Sequence, residues 1–338
     1  MALKDIASAL GISISTVSRV LNTENTSAAS QELKRKIWEE AKKQGYMPNQ
    51  AARQLRESAI PDAPEPKSLY CVFAVAPQES KDDPFYTKIL ESVEQEAFKH
   101  NYILQYTFSA TALDVPGALT PILSATPSDY LVIIGRFKPA LLKRLEVYFK
   151  KTIYIGLNLL DAPCDQIVCN SREIARTVVR YLHSLNHRNI GFIGSAEGRL
   201  RGYQETVTDL KLPTDSRYII DDTVLSMEGG YQGMLRLLDS APDVTAVFCA
   251  NDMVSIGALK ACRDRGVRVP EDISLIGVND VENVQYTDPM LSSVRVPLEE
   301  MGKMAVVMLL DRVNGGHTSH VTVQFPYTIV KRGSCRAL

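Results

Sequence analysis

From residue 69 to residue 278 the chain alternates short apolar runs of strand length with amphipathic runs of helix length, which restricts it to few architectures. Strands are expected at 69–76, 102–108, 129–135 and 153–157, with helices at 85–99 and 139–149. A second series follows, with helices at 172–185, 201–210, 228–238 and 254–265 and strands at 190–193, 218–220, 246–249 and 274–278. Alternation of this kind argues for parallel sheets covered by helices. Two such series in one chain imply two open sheets facing each other across a cleft.

Ligands of open parallel sheets bind beyond the carboxyl ends of the strands. That rule selects Arg136, Asn158, the pair Asn251 and Asp252, and the pair Asn279 and Asp280, with Arg199 opening the string RLRGY and Phe85 and Tyr86 at the start of a helix. Aromatic faces with several planar amide and guanidinium groups suit a polyol, because each planar group can engage adjacent hydroxyls while a ring covers the C–H face. Asn and Asp at such places also cap helices, so Asn251 or Asp252 could simply start the helix that follows.

Ahead of this body stands a different pattern, LKDIASALGISISTVSRVLN. Ile6, Ala7 and Leu10 share one helical face, and Val17, Val20 and Leu21 share another. Gly11 gives the gap the freedom a tight turn needs, and Ser13 suits an N-cap. The result is a helix-turn-helix pattern whose second helix turns Ser15, Arg19 and Asn22 outward, with Ile14, Thr16 and Ser18 beside them, to reach base edges or phosphates. A third helix is expected over 30–44, with Leu33, Ile37 and Ala41 inward and Gly45 as its stop. Pro48 then opens a short helical stretch over 49–55, marginal in water without a partner.

The strings LKDIASALG and TVSRVLN resemble the lactose-repressor/galactose-repressor family of bacterial transcription regulators, and the likeness runs nearly to the C-terminus. It implies an α/β fold: a three-helix helix-turn-helix head with a hinge helix over 1–57, a linker over 58–67, and a two-lobed body like periplasmic sugar-binding proteins over 68–338. Lobe 1 would take about 68–158 and 295–325, completed by a helix at 298–314, and lobe 2 about 159–294 and 326–338. The resemblance makes Leu55 a minor-groove wedge, with Asn49 and Ala52 as neighbouring groove contacts. Motif by motif it assigns the effector to Phe85 and Tyr86 of DPFY, Arg199 of RLRGY, Asn251 of AND and Asn279 of GVND. Asn158 and Asn279 stand where some relatives carry Asp. The stretches 82–98 and 129–146 look most like the branch responding to galactose and β-galactosides. The resemblance thus predicts a homodimeric repressor on pseudo-palindromic double-stranded operator DNA, switched by a sugar and needing no cofactor.

The charge distribution agrees with a head that meets phosphates. Residues 1–57 hold nine Lys and Arg against six Asp and Glu, whereas the rest holds 29 against 33. The N-terminus lacks a signal-peptide block and no apolar run reaches membrane length, so a cytoplasmic chain is expected. The cysteines form no CxxC pairs and read as reduced thiols. His183 and His187 have the i, i+4 spacing of a metal pair, but no third ligand is evident. A sugar transporter's binding protein would account only for the cleft and would need a signal peptide. A sugar-modifying enzyme would need an acid/base constellation, and no such motif is present.

Overall fold

The computed structural model describes residues 7, 9–13, 16, 17, 20, 31–43, 66–74, 83–109, 128–136, 142, 143, 145, 146 and 148–338. Contacts divide the chain into two compact units, Met1–Glu65 and Pro66–Leu338.

In the first unit Ala7, Val17, Val20 and Ile37 are buried together, with Leu10, Ile12 and Leu33 packed on them. The turn between the first two helices follows from Gly11, whose φ of +65° lets the Ile12 amide donate back to the Ala7 carbonyl at 3.1 Å. This closes the first helix with a left-handed residue that only glycine adopts freely. Ser13 then caps the next helix, its hydroxyl accepting from the Thr16 amide at 3.2 Å. Helix α1, Gln31–Lys43, supplies the third side of this small core.

In the second unit the strands are β1 Lys67–Ala74, β2 Tyr102–Ser109, β3 Tyr130–Gly135, β4 Lys151–Gly156, β5 Asp165–Val168, β6 Ile190–Ile193, β7 Ile219–Ile220, β8 Ala246–Cys249, β9 Ser274–Asn279, β10 Ser292–Arg295, β11 Thr322–Gln324 and β12 Thr328–Val330. The helices are α2 Pro84–Lys99, α3 Ser171–Ser184, α4 Gly198–Asp209, α5 Met227–Ser240, α6 Asp252–Asp264 and α7 Leu298–Val313. The sheets run β2-β1-β3-β4-β5-β11 and β7-β6-β8-β9-β10-β12. They repeat one strand order, and only the β10–β12 pairing is antiparallel. In each sheet the order reverses beside the first strand of the series, where such folds open a crevice.

Three details differ from the sequence expectation. Lys67, read as linker, already pairs with Tyr102 in β1. The chain does not leave the first sheet at 159, because β5 is a strand of that sheet paired with β4, and the crossing falls between Val168 and α3. Asp165 and Gln166 give β5 no apolar pattern. Arg312 holds Asp165 through two bonds of 2.6 and 2.7 Å, and Gln166 exchanges two bonds with the Leu160 backbone. Helix α4 starts at Gly198 and not at 201, which puts Arg199 in its first turn. The later crossings fall after β10 and between β11 and β12, and α7 returns to pack on α2.

His187 is buried, with Nδ1 3.0 Å from Thr245 Oγ1 and Nε2 3.1 Å from both Ser274 Oγ and the Arg336 carbonyl. It ties the last residues to the second sheet. Helices α5 and α6 pack at glycine distance, since a methyl on Gly257 would fall on the Met227 carbonyl and one on Gly230 on the Val254 carbonyl. Gly257→Ala should therefore destabilise the body by about 1–3 kcal/mol through overpacking, despite the better helix propensity of Ala. A urea midpoint unchanged from wild type would show that the two helices can separate freely.

Candidate functional site

Six of the seven residues expected at the ligand site converge. Phe85, Tyr86, Arg136, Arg199, Asn251 and Asn279 line one cleft together with Asp83, Gly135, Leu157 and Leu225. Phe85, Tyr86 and Arg136 come from beyond β1 and β3, and Arg199 and Asn251 from beyond β6 and β8, so both strand-order reversals open onto the same space.

Local chemistry fixes each wall. Asp83 caps α2 by accepting from the Phe85 amide at 2.9 Å, which sets the two aromatic residues in the first turn. Their rings meet edge-to-face at 5.1 Å, and Phe73 braces Tyr86 at 5.9 Å. Burial pushes the Asp83 carboxyl pKa up, against the pull of the Phe85 amide and the Arg199 charge.

Arg199 is buried. Its Nη1 donates to the Ala250 carbonyl at 2.6 Å and its Nη2 to Glu197 Oε1 at 2.7 Å, while Nε has no partner among the described residues. Asn251 both caps and lines. Its Oδ1 accepts from the Val254 amide at 2.9 Å, and its Nδ2 lies 3.5 Å from the Leu225 carbonyl.

Asn279 is the strained member. It ends β9 with φ +109°, a region costly for any side chain, and its buried Oδ1 has no partner among the described residues. Strain of this kind concentrates at binding sites. Behind it the fully buried Asp252 accepts from Ser293 Oγ at 2.6 Å and from the Val281 amide at 2.8 Å. Burial raises its pKa to about 8. The folded state therefore holds a proton that the unfolded chain releases near the ordinary carboxyl value, so this group's contribution to stability falls as pH rises through the interval between the two. Asp252→Asn should flatten the decline in urea midpoint between about pH 5 and about pH 8. An identical decline in both proteins would place the titrating group elsewhere.

Asn158 lies apart from the cleft wall. Its Oδ1 accepts from Ser171 Oγ at 2.8 Å and its Nδ2 donates to Glu197 at 3.0 Å, and it lines a neighbouring polar groove with Arg172, Glu197 and Arg201. Gly198 permits this approach, since any side chain there would collide with Ser171 and Asn158. Sequence reasoning missed Glu197, Ser195 and Leu225. The one available signal for Glu197 was an acidic residue two places before the arginine of RLRGY.

Of the residues expected to touch DNA, Thr16 is described. It sits half-buried on the second head helix, its hydroxyl 2.8 Å from that of Ser13. Ile14, Ser15, Ser18, Arg19, Asn22, Asn49, Ala52 and Leu55 lie outside the described residues. Among the described residues no helix is long and apolar enough to cross a membrane, and no group of His, Cys, Asp and Glu is arranged to hold a metal ion.

Comparison with known proteins matches residues 2–49 to bacterial regulatory proteins of the lacI family and residues 179–335 to a periplasmic binding protein-like domain. The HTH-type transcriptional repressor PurR of Edwardsiella ictaluri (strain 93-146) is 30% identical, over 98% of this chain and 96% of its own length. Among solved structures, a complex of the transcriptional regulator CelR with cellobiose superposes with a TM-score of 0.70 at 24% identity, covering 99% of each chain. The lac repressor dimer bound to operator and the anti-inducer ONPF superposes with a TM-score of 0.69 at 23% identity, covering 100% of this chain and 99% of its own. These matches bear out the expected α/β architecture, but the relatives at 30% identity are PurR repressors, so they do not carry the expected galactose branch. On the strength of a match at that identity over nearly its whole length, the chain belongs to the lacI family of bacterial regulatory proteins.

Proposed function

We propose that this chain is a ligand-responsive, sequence-specific DNA-binding repressor whose effector is an uncharged polyhydroxylated ring, with galactose or a galactoside as the first candidate. The observation that carries the effector class is the cleft itself. Two aromatic rings lie beside two guanidinium groups and two amides drawn from both sheets, and buried Arg199 Nε and Asn279 Oδ1 lack partners among the described residues. A buried donor and a buried acceptor left open cost free energy until a ligand meets them, and a sugar hydroxyl can meet either.

On the DNA side Arg19, Ser15 and Asn22 would read base edges or phosphates, and Leu55 would wedge the minor groove with Asn49 and Ala52 beside it. Two copies would sit on a pseudo-palindrome as a homodimer. Effector binding would favour one setting of the lobes over the other and so change the affinity of the head for DNA. A ligand that prefers neither setting would regulate nothing.

A thermal-shift panel of galactose, galactosides, glucose, ribose and nucleobases, run with and without DNA, tests the effector class. A saturable rise in melting temperature with a sugar supports it. A response confined to nucleobases, which could also stack on Phe85 and Tyr86, would replace it with a planar heterocycle.

A further inference from the structure

We propose that Arg136 and Arg199 form an anion site between the two lobes which the chain fills with its own Glu197 carboxylate, so that the cleft admits uncharged ligands and turns anionic ones away. The selectivity clause rests on reading the cleft as the effector site; the self-filled anion site does not.

The carboxylate is held from both sides. Arg136, from the end of β3, and Asn158, after β4, belong to the first sheet. Ser195, Glu197 and Arg199 belong to the connection from β6 into α4 of the second. Glu197 Oε1 accepts from Arg199 Nη2 at 2.7 Å, Ser195 Oγ at 2.9 Å and Arg136 Nη1 at 3.4 Å, and Oε2 accepts from Asn158 Nδ2 at 3.0 Å. Two guanidiniums, a hydroxyl and an amide converging on one carboxylate make the donor set that recognises a bound phosphate or carboxylate.

Electrostatics explains why the site is filled. Burial pushes the Arg136 pKa down and the nearby Arg199 charge pushes the same way, while Glu197 pulls it back up. Glu197 thus stands between two guanidinium charges that repel each other. For Glu197, burial alone would raise the pKa, but the charges of Arg199 and Arg136 and the Asn158 amide outweigh it and hold the group at about 2. The occupant therefore stays ionised at neutral pH.

Position adds the selectivity. Arg136 and Arg199 line the cleft, while Glu197 and Asn158 line the groove beside it, so the carboxylate stands in the partition between the two. An anionic ligand seeking the Nη groups of both arginines must displace a tethered competitor whose effective concentration is about millimolar or higher. A sugar hydroxyl displaces nothing and can accept from the open Arg199 Nε.

The test uses the full chain, wild type against Glu197→Gln, melted in rising inorganic phosphate with sodium chloride controls of equal ionic strength. The variant should gain a saturable phosphate stabilisation at least about tenfold tighter than any in wild type, and Arg136→Ala in the same background should remove it. Equal responses in wild type and variant, or none in a folded variant, would overturn the proposal. If Glu197→Gln does not fold in plain buffer, recovery of its circular dichroism by phosphate but not chloride supports the site, and no recovery overturns it. No sugar enters this experiment, so its failure is separate from failure of the sugar panel.

Discussion

Arg199→Ala should abolish the effector response and also destabilise the body by about 3 kcal/mol, the lower part of the range for removing one partner of a buried ion pair. Both losses come from one side chain. Its guanidinium is buried, supplies the shortest bond to Glu197, holds the Ala250 carbonyl and keeps Nε without a partner among the described residues. The cost stays below the extreme because Glu197 keeps Arg136, Ser195 and Asn158. Urea denaturation of the variant beside Arg199→Lys, with calorimetric titration of whichever sugar stabilises wild type, separates the two effects. A variant as stable as wild type would mean that Glu197 finds its counter-charge elsewhere, and a variant that still binds the sugar would displace the pocket.

The second large effect is expected far from the cleft, at Arg312→Ala, which should cost about 3–5 kcal/mol because it leaves a buried carboxylate without its guanidinium. Asp165 is fully buried. It receives Arg312 through Nε and Nη2, His317 Nε2 at 3.0 Å and the Val321 amide at 2.9 Å. This one carboxyl joins β5, α7 and the approach to β11, three segments that meet in lobe 1 after the chain has passed through lobe 2. Burial alone would raise its pKa, but the Arg312, Val321 and His317 bonds overcome that and lower it. The contribution of Asp165 is therefore present at neutral pH and lost as pH falls through the folded-state value. Urea melts at neutral pH check the magnitude. A loss below about 1 kcal/mol, the range of an exposed pair, would mean that water reaches Asp165 when Arg312 is gone.

These two sites also show where sequence pattern is informative and where it falls silent. Apolar strands such as β6 and β8 were legible to the residue, because every side chain in them is buried and each run is bounded by polar turns. The short strands β5, β10, β11 and β12 were not legible. Buried Asp165, Ser292 and Ser293 satisfy themselves through distant partners such as Arg312, Arg332 and Asp252, and no local period reports a bond across more than a hundred residues or between neighbouring strands. The cleft was legible because a general rule picks the residues after strand ends. The rule identifies positions but not bonding, so it returned Asn158, which is turned to Ser171 and Glu197, and it passed over Glu197. In the head, Gly11 and Ser13 were readable because their roles are local, a left-handed turn and an N-cap.

A small molecule in the cleft is expected to set the affinity of the head for DNA. The most direct measurement selects DNA fragments from a random pool with the full chain, then titrates the best fragment against random fragments at moderate salt. The titration is run with and without the sugar that stabilises the protein, beside Arg19→Ala. The full chain should prefer the selected fragment by at least about 10³, with the preference weakened by Arg19→Ala, and its affinity should shift by about 5–150-fold when the sugar is added. Equal retention of selected and random DNA, or a preference that no ligand of the cleft alters, would contradict this expectation.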